Sequence, residues 1–116
     1  MLRSPVMFLA LLVAAVPGGR SAEPGAQIYR GVYFYNFETA DFTPDGASEA
    51  WCVNSAKLKE AELPPDGSPG GPWGTAHIVV RGVLSKLGHY CNLGASKHFL
   101  DIKEVLEVRD KKRREP

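Results

Sequence analysis

The side chains of this 116-residue chain best suited to chemistry are two cysteines and three histidines. Cys52 and Cys91 are the whole cysteine complement, and such a pair supports either one disulfide or two thiolates. Thiolate and imidazole are the donors that zinc and copper prefer, so His89, Cys91 and His98, with His77 and Cys52 as further donors, form the set a metal would use. Their spacing matches no zinc-finger pattern. Both methionines, Met1 and Met7, lie in the N-terminal leader, which removes the thioether ligands that often hold copper outside the cytoplasm. A Cys52–Cys91 bridge also removes the thiolates, and closing that loop stabilises a fold by roughly 4 kcal/mol out of a typical ~5–15 kcal/mol. The disulfide is therefore the expectation, and metal binding through His89, Cys91 and His98 is the alternative.

The chain contains no Gly-x-Ser-x-Gly, no His-Glu-x-x-His, no Gly-x-x-x-x-Gly-Lys and no Cys-x-x-Cys. Nothing starts a reaction mechanism, so the reading is of a protein without catalysis, and no motif implies a cofactor. Asp41 and Asp45-Gly46 faintly resemble a calcium loop, but Phe42 and Pro44 fill the alternate ligand positions and no bidentate glutamate sits at the required offset. They read as a plain turn. The aromatic residues are a second candidate constellation. Tyr33, Tyr35, Trp51, Trp73 and Tyr90 form an expected ligand surface on which a sugar, a base or a peptide can stack, with Tyr29 nearby. Core filling competes for the same rings. Trp73, directly after a Pro/Gly segment, is the ring expected at the surface.

The N-terminus places these residues in a compartment. Arg3 precedes an apolar run from Val6 to Val16, followed by Pro17-Gly18-Gly19, which is the layout of a secretory signal peptide over 1–21. The run is shorter than the ~20 residues that cross a bilayer, so no membrane span is expected after cleavage. Small residues at Gly19 and Ser21 favour a cut after Ser21, and no cysteine near the site offers lipid attachment. A periplasmic or secreted protein is implied. Removing Arg3 and Arg20 turns a formal charge of +1 into an excess of one negative charge, so no global field attracts nucleic acid. The basic run Lys111-Lys112-Arg113-Arg114 reads as a solvated tail over 109–116.

The remaining ~95 residues suffice for one domain, expected over 27–108. Residues 28–42 are dense in aromatic and β-branched residues and read as one long strand, with Ile28, Val32 and Phe34 on one face and Tyr29, Tyr33, Tyr35 and Phe37 on the other. Gly31 marks a bulge or bend. Thr43-Pro44-Asp45-Gly46 reads as a turn, and a second strand follows over 48–53. Residues 55–63 allow one short surface helix, and the Pro/Gly-rich 64–72 an exposed loop. Residues 75–84 alternate cleanly, with Ala76, Ile78, Val80 and Leu84 inward and Thr75, His77 and Arg81 outward. Residues 87–95 suggest a loop packed by its own Tyr90 and Leu93. The last segment, 98–108, fits a helical face and an alternating strand alike, and its Val and Ile content favours strand. Four or five short strands with little helix make an all-β protein, a small five-stranded OB-like barrel with at most one short helix.

The segments Tyr29-Arg30-Gly31-Val32-Tyr33-Phe34-Tyr35, Phe42-Thr43-Pro44, Ala76-His77-Ile78-Val79-Val80-Arg81-Gly82-Val83-Leu84-Ser85 and Gly88-His89-Tyr90 resemble small exported bacterial OB-fold-like proteins. They are similar in outline to the C-terminal domain of the envelope-stress lipoprotein NlpE. In those proteins the turn after Phe-Thr-Pro often carries cysteine and the position after His-Tyr often glycine, whereas this chain has Asp45 and Cys91. The resemblance therefore implies a relocated disulfide and sets the chain apart from a redox-sensing role. It implies an exported envelope module that binds a protein or small-molecule partner. The alternative is a periplasmic metal-binding or redox-sensing accessory built on His89, Cys91 and Cys52.

Overall fold

A computed structural model describes residues 25–114 of the chain. The signal peptide read over 1–21 lies outside them. Five strands, β1 (Ala26–Tyr35), β2 (Ala40–Pro44), β3 (Trp51–Val53), β4 (Gly74–Leu84) and β5 (Phe99–Arg113), make one sheet that closes on itself in the order β1-β2-β3-β5-β4. Every contact is antiparallel except β3 with β5, which run parallel. This is an OB-like ring. A 3-10 helix at Ser55–Ala61 lies in the β3–β4 connection, and its Leu58 and Ala61 are fully buried in the core.

The core follows from strand alternation. Tyr33, Phe42, Ile78, Val80, Leu100 and Ile102 point inward and are completely buried, joined by Tyr35 and Ala76. The tyrosine face of β1 is thus the inner face, while Ile28 and Val32 lie on the outside, about half exposed. The inward set expected for β4 is found as read, with Leu84 packed at the margin.

Three features differ from the expectation. The long strand over 28–42 is two strands, because Asn36 Oδ1 accepts hydrogen bonds from the backbone N–H of Glu38 (2.9 Å) and Thr39 (2.8 Å) and turns the chain back. Gly31 lies in unbroken register with β4, so it marks no bulge. Its missing Cβ makes room for β2, since a Cβ there would lie 2.8 Å from Pro44 Cα. The bulges fall between β4 and β5, at Thr75/His77, Val79/Val80 and Arg81/Gly82, where the sheet must curve to close. Finally, residues 109–113 belong to β5 and not to a tail, with Thr75 opposite Lys112 and Gly74 opposite Arg113.

Candidate ligand-binding cleft

A disulfide joins Cys52 of β3 to Cys91 of the β4–β5 connection, with Cα atoms 6.5 Å apart. The two sulfurs therefore titrate with nothing and ligate nothing. His98 donates Nδ1–H to the Ser85 carbonyl at 2.9 Å, and His89 is exposed on the loop. Among the described residues no three of His, Cys, Asp and Glu converge as a metal group would require. The donor set His89, Cys91 and His98 is not assembled, because bridging the cysteines took its thiolate.

The expected aromatic surface is dispersed as well. Tyr33 and Tyr35 stack on each other, centroids 5.2 Å apart, inside the ring. Burial pushes both phenols above their ordinary pKa, and for Tyr33 the adjacent Glu62 carboxylate adds to it. Trp51 packs among Tyr29 (5.5 Å), His98 (5.9 Å) and Phe42 (6.0 Å). Trp73 is half-buried with its edge toward Phe34 at 6.4 Å, not fully at the surface as expected. Tyr90 is also half-buried, its hydroxyl donating to the Lys86 carbonyl at 2.9 Å. Tyr33 and Tyr35 are taken up by the core, because a ring this small has few other large side chains to fill it.

The disulfide builds a different feature. The β4–β5 connection continues as a hairpin through paired backbone bonds between Tyr90 and Ser96 (2.8 and 3.1 Å) and one from Gly88 N–H to the Lys97 carbonyl (2.9 Å). At its tip, Cys91, Leu93 and Gly94 all adopt positive φ (65°, 56° and 68°), and a short 3-10 turn covers Asn92–Gly94. The Cys52–Cys91 bond fastens this tip to β3. Between the tip and the β1–β2 turn lies a cleft of about 620 Å³, floored by Ala40 and Asp41 of β2 and Cys52 and Val53 of β3. Asp41 faces the cleft because its neighbour Phe42 faces the core. Phe37 on one side and Leu93 on the other are 62% and fully exposed, and Leu93 does not pack its own loop as expected. Phe37 rests against Gly70 of the Pro/Gly loop, where a Cβ would approach Phe37 Cβ to 2.6 Å.

Burial on this floor pushes the Asp41 carboxyl above its ordinary pKa. No N–H or O–H of the described residues reaches it. A second hollow, about 330 Å³, lies across the β1–β2 turn, and its tyrosine hydroxyls are engaged. Tyr33 donates to Glu62 at 2.6 Å, and Leu63 N–H donates to the Tyr35 hydroxyl at 2.7 Å. Sequence reasoning singled out the disulfide but missed Asp41, Phe37 and Leu93 as neighbours. Leu93 beside Gly94, an apolar residue at a loop tip, was the available signal.

No family model, curated protein or solved structure matches the chain. The cleft is accordingly read from its own geometry.

Proposed function

We propose that this protein is a non-catalytic binding module of the bacterial envelope, periplasmic or secreted, which receives its ligand in the cleft between the β1–β2 turn and the tip of the β4–β5 hairpin. The observation that carries this reading is the disulfide-fastened cleft itself. Its volume of about 620 Å³ falls within the range of small-ligand sites. OB-like rings commonly bind ligands across the β2–β3 face between these same two loops, which supports the location by analogy and leaves the ligand open. A disulfide is compatible with export, and no helix among the described residues is long and apolar enough to cross a membrane.

The test is a fragment screen followed by backbone amide shifts of the 15N-labelled protein. Hits should move amides in 36–41, 52–55 and 91–96, and reduction of the disulfide should remove those responses by freeing the hairpin tip. Hits that move only other surfaces, or cleft responses that survive reduction unchanged, would overturn the assignment.

A further inference from the structure

We infer that the cleft takes a cationic side chain carried on an extended apolar peptide, with Asp41 as counter-charge and Phe37 and Leu93 holding the flanking apolar residues. This rests on the binding-module reading. The charge of the cleft chooses the occupant: its walls carry the carboxylates of Glu38 and Asp41 and no lysine, arginine or histidine. Those carboxylates are also unusual for this molecule. Every other described acid except Glu60 has a basic, hydroxyl or amide side-chain partner, as Asp45 has His77, Glu49 has Lys97 and Glu104 has Arg81. Glu38 and Asp41 have none among the described residues, and Asp41 is half-buried where water compensates it incompletely.

The walls select what surrounds the cation. Phe37 and Leu93 stand on opposite loops, Phe37 against Gly70 and Leu93 on the disulfide-fastened tip with its side chain fully exposed. Exposed apolar side chains facing one cleft across a carboxylate match an extended peptide, in which alternate residues point the same way. An apolar-x-basic-x-apolar segment puts its three matching side chains on one face. A guanidinium adds a planar fork of donors suited to a carboxylate that has none. The same carboxylates repel phosphates, so a nucleic acid is the opposite of the expected occupant.

The experiment compares three capped peptides, acetyl-Leu-Ala-X-Ala-Leu-amide with X as Arg, Met or Glu, titrated into the full 15N-labelled protein. The Arg peptide should move the cleft amides and bind roughly tenfold or more tightly than the Met peptide, with the Glu peptide weakest. Asp41→Asn should erase the preference for Arg over Met while leaving the weaker Met affinity in place, with an unchanged circular dichroism spectrum. Leu93→Ala, at a fully exposed position, should weaken the Arg and Met peptides alike. Equal binding of the three peptides in the cleft, or an Arg preference that survives Asp41→Asn, would sink the charge inference and spare the binding module. Silence of the cleft amides with all three peptides would also sink it, and the fragment screen then judges the module separately.

Discussion

Asp41 and Asp45 show how differently two acids of one hairpin are used. Asp45 accepts His77 Nε2–H at 3.0 Å, and His77 Nδ1 is buried with no partner, which places the imidazole proton on Nε2. Read in the sequence as an outward, exposed strand residue, His77 is mostly covered because Asp45 reaches across β1 to it. Asp41 has no such partner, and its raised pKa carries a stability consequence. The folded state holds the Asp41 proton more tightly than the unfolded chain does, so folding stability falls as pH rises from about 4 through the raised value and stays lower above it. Asp41→Asn should therefore melt at or above the parent temperature at pH 7, and the difference should vanish near pH 3. A lower melting temperature for the variant at pH 7 would show that the carboxylate is stabilised by a contact the structure lacks.

At the scale of elements, β3 is the weak segment of the ring. It is three residues long and meets β5 through only two parallel residue pairs, Cys52 with Phe99 and Val53 with Leu100. Asn54 extends that contact with its side chain: Oδ1 accepts Ile102 N–H at 2.7 Å, and Nδ2 donates to the Ile102 carbonyl at 3.3 Å and to Asp101 Oδ1 at 3.0 Å. Asn54→Ala leaves the backbone of a fully buried residue unsatisfied, and should cost roughly 2–3 kcal/mol in urea unfolding. A loss under ~0.5 kcal/mol would mean that the ring closes without this clamp.

The far end of β5 has a clamp of another kind. Arg113 meets Asp66 of the Pro/Gly loop at 2.7 Å, and Arg114 N–H donates to the Trp73 carbonyl at 3.0 Å. Hydrogen bonds from Ser68, reinforced by Arg113, hold the Asp66 pKa down to about 2. Because that pKa is depressed, the contribution is present above the ordinary carboxylate value of ~4 and is lost as pH falls toward about 2. Amide shifts at 112–114 should accordingly titrate with a midpoint near 2; a midpoint near ~4 would mean that the Ser68 and Arg113 contacts to Asp66 do not persist in solution.

For the whole molecule, the disulfide spans 39 residues and so closes about a third of the sequence into a loop. In the chain-entropy model a loop of that length is worth about 4 kcal/mol, a large share of the stability of a small domain. Replacing both cysteines with alanine should lower unfolding free energy by about that amount and release the hairpin tip from β3. The strands and the 3-10 helix should persist, because the buried set Tyr33, Phe42, Leu58, Ile78, Val80, Leu100 and Ile102 is independent of the bridge. Retained far-ultraviolet dichroism with lost cleft responses is the expected pair of readings. Complete unfolding at 25 °C would mean that the core cannot hold the ring alone.

The all-β class, the inward face of β4, the strand character of the last segment and the cysteine pairing were legible in the sequence by itself. Each rests on a local signal: alternation with period two, β-branched content, or the arithmetic of two cysteines. The division of 28–42 into two strands was not, since it depends on one Asn36 side chain capturing two backbone N–H groups. The inclusion of residues 109–113 in β5 was hidden for a related reason. Their charged sequence looks like a solvated tail, and only the length of β4 opposite supplies a partner for their backbone. The cleft was the least legible feature of all. Phe37 and Asp41 flank one turn, but Leu93 lies far from both along the chain and becomes their neighbour only because the ring closes and the Cys52–Cys91 bond draws the hairpin tip over the β2–β3 face. Local periodicity determines which residues make the strands, while long-range closure decides which of their exposed side chains share a site.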